Sequence, residues 1–213
     1  MLYFYRMKRL IIIGGKAPEH MQIDRSMYSE VIAADSGYDT AIRLGIDIDR
    51  AVGDFDSTKF RERLISKGFI PCSHDKDYSD SELAVMSGSG DYDLIGGGEG
   101  RLDHTLQLLS MMQRIGAPSV WYMASDTVFR IDCSSEISIA PGTDISFFAL
   151  SGTVHVHTEG LVWELDSFPL SSASVSLSNR ASRDRVLVDP DGLVMVRVDP
   201  SVYPHIQITP VAR

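Results

Sequence analysis

Arg50-Ala51-Val52-Gly53-Asp54-Phe55-Asp56-Ser57 decides how this chain is read. A short apolar run ends in a glycine turn that carries two carboxylates, Asp54 and Asp56, two residues apart. Like charges repel, and each carboxylate loses hydration energy on burial, so such a pair needs a remedy. A hard cation such as Mg2+, which takes a few carboxylates together with phosphate oxygens, supplies it. The bland alternative is an acidic turn whose Asp56-Ser57 caps the helix that follows.

The same arrangement recurs on both sides of this stretch. Asp35-Ser36-Gly37 follows Val31-Ile32-Ala33-Ala34, and Asp75-Lys76-Asp77-Tyr78-Ser79-Asp80 follows Phe69-Ile70-Pro71-Cys72. Gly96-Gly97-Gly98-Glu99-Gly100-Arg101-Leu102-Asp103-His104 follows Tyr92-Asp93-Leu94-Ile95. Each is an apolar run, then an acidic or glycine-rich turn, then a helical pattern. In an open α/β sheet, ligands bind outside the carboxyl ends of the strands. Four such ends tipped with acids describe one shared site better than four solvated loops.

Strands are expected at 9–13, 31–34, 50–52, 69–72, 93–95 and 119–123, apolar on both faces as buried parallel strands are. Between them, helical patterns run over Tyr38, Ala41, Ile42 and Leu44, then Phe60, Leu64 and Ile65, then Leu83, Ala84 and Met86 behind a Ser79 or Asp80 cap. A fourth stripe is Leu102, Leu106, Leu109, Met112 and Ile115, and Gly45, Gly68 and Gly116 mark stops. This is a βαβ array. Between 126 and 132 the pattern changes to short alternating segments at 127–131, 137–139, 145–149, 154–157, 174–177, 186–188 and 193–198, separated by glycine and proline turns. The fold expected is therefore α/β followed by all-β: a parallel-sheet, Rossmann-like α/β domain over 1–127 and an antiparallel β-sandwich or barrel over 128–213.

Composition excludes several classes. Hydrophobic residues make up 44% and charged residues 23%, ordinary for a globular chain. A net charge of −9 argues against a nucleic-acid partner but not against a nucleotide, because a bound metal reverses the local sign. No apolar run approaches a membrane span. Two cysteines, Cys72 and Cys133, do not make a disulfide framework; both are expected to be buried small residues of a cytoplasmic protein. Residues 1–6 read as an appended start before a first strand. Asp24, Asp47, Asp49, Asp91 and Asp93 read as caps and turns, Lys16 and the His155/His157 pair as solvated, and Trp121 as core.

Taken in order, Ala34-Asp35-Ser36-Gly37, Gly53-Asp54-Phe55-Asp56-Ser57, Lys76-Asp77 with Ser79-Asp80 and Glu82-Leu83-Ala84, and Gly100-Arg101-Leu102-Asp103-His104 resemble the thiamine pyrophosphokinase family. Gly160-Leu161-Val162-Trp163 and Leu177-Ser178-Asn179 extend the likeness, which runs from about 8 to 198. The chain departs from the family at Ser36, where glycine is usual, and at Ser79, where threonine is usual.

The resemblance implies transfer of a pyrophosphoryl group from ATP to the thiamine hydroxyl, giving thiamine diphosphate and AMP, with Mg2+ on the triphosphate. Such transfer is mostly positioning and charge neutralisation. It assigns catalysis to Asp54, Asp56, Asp77, Asp80, Arg101 and Asp103, and the metal to Asp54, Asp56, Asp80 and Asp35. Asp77 or Asp103 is the candidate proton acceptor. ATP would be held by Gly14, Gly15, Asp35, Ser36, Gly37, Ser57, Gly98, Arg101 and His104, with backbone N–H groups approaching phosphate at a helix start. A salt bridge to Asp103 is the plainer reading of Arg101. The flat, cationic substrate would stack on Trp163, with Ser178 and Asn179 on its aminopyrimidine edge. The family also implies a homodimer with the thiamine site between subunits. Two other readings are a pyrophosphokinase for a pterin-like alcohol and a non-catalytic sensor of thiamine diphosphate or a nucleotide.

Overall fold

The computed structural model describes residues 7–211, so the expectation about residues 1–6 lies outside the described residues. The chain divides into two compact units, one ending at Ala124 and the other beginning at Ser125.

The first unit is built on five parallel strands, β1 (Lys8–Ile12), β2 (Tyr28–Ala34), β3 (Arg50–Val52), β4 (Tyr92–Ile95) and β5 (Val120–Tyr122), in the order β5-β4-β1-β2-β3. Leu10, Ile11, Ile12, Val31, Ile32, Ala33, Leu94 and Ile95 have no exposed surface, as strands covered on both faces require. The strand order reverses between β1 and β4, and that crevice is where open α/β sheets bind ligands.

Four helices join the strands: α1 (Gly37–Leu44), α2 (Arg61–Ser66), α3 (Asp80–Met86) and α4 (Leu102–Ile115). α1 begins directly against β1, where any β-carbon on Gly37 would press on the Ile12 carbonyl; it ends at Gly45 in the left-handed conformation at φ 69°. α3 starts with a reciprocal capping box. The Ser79 hydroxyl accepts the Glu82 N–H, and the Glu82 carboxylate accepts the Ser79 N–H at 2.9 Å.

Four expectations are corrected here. Residues 69–72 are not a strand: Pro71 lacks a donor, Ile70 is 84% exposed, and the segment is tied near β3 by the Cys72 N–H to the Gly53 carbonyl at 2.7 Å. The buried face of α4 is Leu108, Met111 and Met112, while Leu102 and Leu106 face outward. Asp93 is not a turn residue; it is buried in β4, where it accepts from the Tyr28 hydroxyl at 2.9 Å and pairs with Lys8 at 3.2 Å. Cys72 and Cys133 are free and exposed, each lying in a loop rather than in the core.

The second unit is an antiparallel sandwich. One sheet orders β6 (Thr127–Ile131), β8 (Asp144–Phe148), β11 (Ser176–Arg180) and β13 (Val194–Val198) as β11-β8-β13-β6. The other orders β7 (Ser135–Ser138), β9 (Val154–Glu159), β10 (Phe168–Leu170), β12 (Arg185–Pro190) and β14 (Gln207–Pro210) as β10-β9-β12-β7-β14. Strand β9 alternates buried Val154, Val156 and Thr158 with exposed His155, His157 and Glu159, the pattern of a half-buried strand. β10 and β14 are too short or too polar to show in the sequence. Among the described residues, no helix is long and apolar enough to cross a membrane.

Candidate active site

The carboxyl ends of β1, β2 and β3 and the starts of α3 and α4 surround one cavity of about 570 Å³. Asp35 leaves β2 at φ 46° and Phe55 sits at φ 61° in the turn after β3, two non-glycine residues in left-handed conformations. Such conformations persist only where the surroundings hold them. Phe55 shows how: its ring has no exposed surface and packs in the core cluster with Leu10, Ile12, Val31 and Tyr38. The buried ring anchors the turn from within, while Asp54 and Asp56 on either side of it line the cavity.

The carboxylates converge. Gly53, at φ 133°, sits so close that a β-carbon there would lie 3.0 Å from the Asp80 carboxyl carbon and 3.2 Å from the Asp35 β-carbon. The Ser57 N–H donates to Asp35 at 3.3 Å, and the Asp56 N–H donates to Asp54 at 3.2 Å. Lys76 lies among them, 2.7 Å from Asp80 and 3.5 Å from Asp54. His74 adds its Nδ1 at 2.7 Å from Asp54 and 3.7 Å from Asp56.

These neighbours push two carboxylates apart. Burial raises the Asp54 pKa, but hydrogen bonds from His74 and the Asp56 N–H and the Lys76 charge outweigh it and hold the carboxyl below its usual range. Asp80 moves the other way: burial, with repulsion from Asp54 and Asp35, raises it in spite of Lys76. Burial also opposes charge on Lys76, yet Asp80 and Asp54 together keep it above the usual lysine range. Asp80 Oδ1 is enclosed, with the Lys76 ammonium 2.7 Å away. A half-buried, electrostatically crowded carboxylate of this kind is what a divalent cation stabilises; Asp54, Asp56 and His74 bring ligand atoms within 4.8 Å of one another, with Asp35 and Asp80 on the same cavity wall.

The glycine turns meet across the crevice between β1 and β4. The Gly97 N–H donates to the Gly14 carbonyl at 2.8 Å, and a β-carbon on Gly15 would lie 3.2 Å from the Gly97 backbone. Their first use is therefore close packing of two loops, which leaves Gly14, Gly15 and Gly97 on the cavity wall. Ser36 also lies on the wall, with its hydroxyl over Gly14 where that residue's β-carbon would stand.

Of the residues expected at the site, the cavity gathers Gly14, Gly15, Asp35, Ser36, Asp54, Asp56, Ser57, Asp80, Arg101 and His104. Others stand elsewhere. Gly37 is buried at the start of α1, and a β-carbon on Gly98 would meet Met123. Asp77 is exposed and outside the lining. Asp103 is exposed and accepts from Arg101 at 2.5 Å, the salt bridge that was the plainer reading of that arginine. In the second unit, Trp163 is 59% exposed and so is not sandwich core, Ser178 is exposed at φ 51°, and Asn179 is buried. Sequence reasoning passed over His74, Glu99 and Gln107, and gave Lys76 no role. For Lys76 a signal existed, since it stands four residues before Asp80 in an acidic stretch. For His74 there was none.

Comparison with known proteins follows this division of the chain. Residues 25–120 match the family model described as the thiamin pyrophosphokinase catalytic domain, and residues 129–191 match that family's vitamin B1 binding domain. A solved thiamin pyrophosphokinase family protein of Enterococcus faecalis shares the fold with a TM-score of 0.71 at 19% identity, over 90% of this chain and 98% of that one. Thiamine pyrophosphokinase from Bacillus subtilis is similar at 0.68 and 21%, over 90% and 99%. Thiamin pyrophosphokinase from Candida albicans is similar at 0.66 and 16%, over 92% and 91%. Among curated protein sequences, none matches this chain.

Proposed function

The chain belongs to the thiamin pyrophosphokinase family, and on that premise we propose that the acidic cavity of the first unit holds the triphosphate of ATP and that the exposed Trp163 surface of the second unit holds thiamine. The reaction is transfer of a pyrophosphoryl group from ATP to the thiamine hydroxyl, with thiamine diphosphate and AMP as products. The pterin-like acceptor and the non-catalytic sensor are not favoured by the family match.

One observation carries the assignment: Asp35, Asp54, Asp56 and Asp80 line a single cavity at the strand ends. They would hold Mg2+, which when bound neutralises the charge of the triphosphate and fixes its geometry. Lys76 supplies a fixed positive charge beside Asp54 and Asp80. The Gly14-Gly15 and Gly97 backbones let phosphate oxygens come close, as side chains there would not. Arg101 stands at the start of α4, 74% exposed, free to leave Asp103 for a phosphate oxygen because exposed ion pairs are weak. Trp163 offers a flat face to the aminopyrimidine or the thiazolium, with the exposed Ser178 at the edge.

The proposal includes a cytoplasmic homodimer in which the thiamine site lies between subunits. The exposed Leu102 and Leu106 on α4, at 71% and 57%, are apolar surface that a second copy would cover.

AMP release from ATP and Mg2+, with and without thiamine, tests the reading in the native chain and in Asp56→Ala. Thiamine-dependent AMP with equal thiamine diphosphate, lost in the variant, is the expected result. AMP formed equally without thiamine, or an Asp56→Ala variant of native activity, would overturn it.

A further inference from the structure

The loop that presents Trp163 is fastened by side chains at both ends. Glu164 accepts the Gly160 and Leu161 N–H groups at 2.7 and 3.1 Å and the Thr158 hydroxyl at 2.9 Å. Thr158 in turn accepts the Leu165 N–H at 2.8 Å. Asn179 completes the loop from the opposite sheet of the sandwich. Its Nδ2 donates to the Trp163 carbonyl at 2.7 Å, and its Oδ1 accepts the Trp163 N–H at 3.3 Å. Oδ1 also accepts the Arg180 N–H at 2.8 Å, and Nδ2 reaches the Ser176 hydroxyl at 3.4 Å.

A primary amide has two acceptor lone pairs and two donor hydrogens. All four positions of Asn179 are used inside the protein, and the residue is 2% exposed. It has no capacity left for a bound heterocycle, the role the sequence suggested. The backbone is arranged for this inward turn. Strand β11 slips register against β8 between Ser176 and Asn179, and Ser178 takes φ 51° within the slip. Bulges of this kind re-aim the side chain that follows. The indole it steadies is the reverse case, 59% exposed.

We propose that Asn179 is a positioning residue that grips both sides of the Trp163 peptide and so sets the indole for the flat, cationic substrate. The proposal rests on the reading that Trp163 meets thiamine. An aromatic face already held in place loses less freedom when the substrate stacks on it, so the benefit falls on thiamine binding and not on the ATP side.

The test uses the full chain as Asn179→Ala, Trp163→Ala and the double variant, with thiamine varied at saturating ATP. Asn179→Ala is expected to raise the thiamine KM about tenfold, leaving kcat and the ATP KM within about twofold. The double variant is expected to be no worse than Trp163→Ala, because residues acting through one another are not additive. Time-resolved anisotropy of Trp163, read in a Trp121→Phe background, is expected to show fast indole motion only when Asn179 is absent. Asn179→Ser, which cannot span the peptide, carries the test if the alanine variant does not fold. Losses that multiply in the double variant, or an indole no looser without Asn179, overturn the proposal while leaving the Trp163 reading intact. A Trp163→Ala variant with an unchanged thiamine KM overturns that reading and the proposal with it.

Discussion

The acidic cavity of the first unit and the Trp163 surface of the second are held in place by opposite means. In the cavity, the groups proposed to meet substrate are charged, crowded and partly enclosed, and their left-handed turn is held by a buried ring at Phe55. On the sandwich, the group proposed to meet substrate is neutral and open, and a buried amide saturated with hydrogen bonds holds its backbone. Charge must be paired and partly shielded to be useful, so its support shows as electrostatics. A flat ring needs only orientation, so its support shows as backbone hydrogen bonding. The first kind of site should therefore lose reaction rate when damaged, and the second should lose affinity.

The largest expected effect tests the first half of that statement. Asp54→Asn should lower kcat by a factor on the order of 10³ with the fold intact, the scale of losing one charge-stabilising group in a reacting site; steady-state formation of thiamine diphosphate reads it. Trp163→Ala should raise the thiamine KM by about 10- to 100-fold with kcat at saturation little changed, since stacking of a ring on an aromatic side chain is worth about 1–3 kcal/mol. A kcat loss without a KM change at Trp163 would break the comparison.

Glu82 sharpens it from the side of stability. Its carboxylate is buried, pairs with Arg114 and accepts the Ser79 N–H and hydroxyl at the start of the helix that carries Asp80. Burial raises its pKa, but Arg114 and Ser79 outweigh burial and hold it below the usual glutamate range. A carboxylate held low in the folded state stabilises at pH values above its unfolded pKa, and that contribution is lost as pH falls through the folded pKa. Glu82→Gln should thus cost about 1–3 kcal/mol near neutrality, with the gap between native and variant in urea unfolding closing as the pH drops below the ordinary glutamate range. The smallest effect belongs to the sandwich: His155→Ala, which removes the exposed pair with Asp191 at 3.0 Å, should leave the unfolding midpoint unmoved.

What could be read in the sequence follows the same division. Strand ends with acids at their tips are legible because short apolar runs and carboxylate spacing are local, and Asp54, Asp56, Asp35 and Asp80 could be placed at one edge before any coordinates. Residues 69–72 misled because an apolar run without a neighbour to pair with looks the same as a strand; Pro71 was the clue. His74 reaches Asp54, and Gln107 reaches the cavity, through chain geometry that no spacing records. Asn179 was legible as polar and near a turn, but whether it faces ligand or backbone depends on a register slip that only three dimensions reveal. Leu102 and Leu106 followed helical periodicity and still faced outward, because periodicity gives a face and not what covers it.

Phe55 has a consequence for anyone who would engineer or evolve this chain. The same ring that fills the core of the first unit sets the spacing of the two carboxylates on either side of it. Repacking around Leu10, Ile12 or Val31 would shift that ring and, with it, Asp54 and Asp56, the carboxylates proposed to hold the metal. Selecting variants of this unit for thermal tolerance would therefore also be selecting, unasked, on turnover.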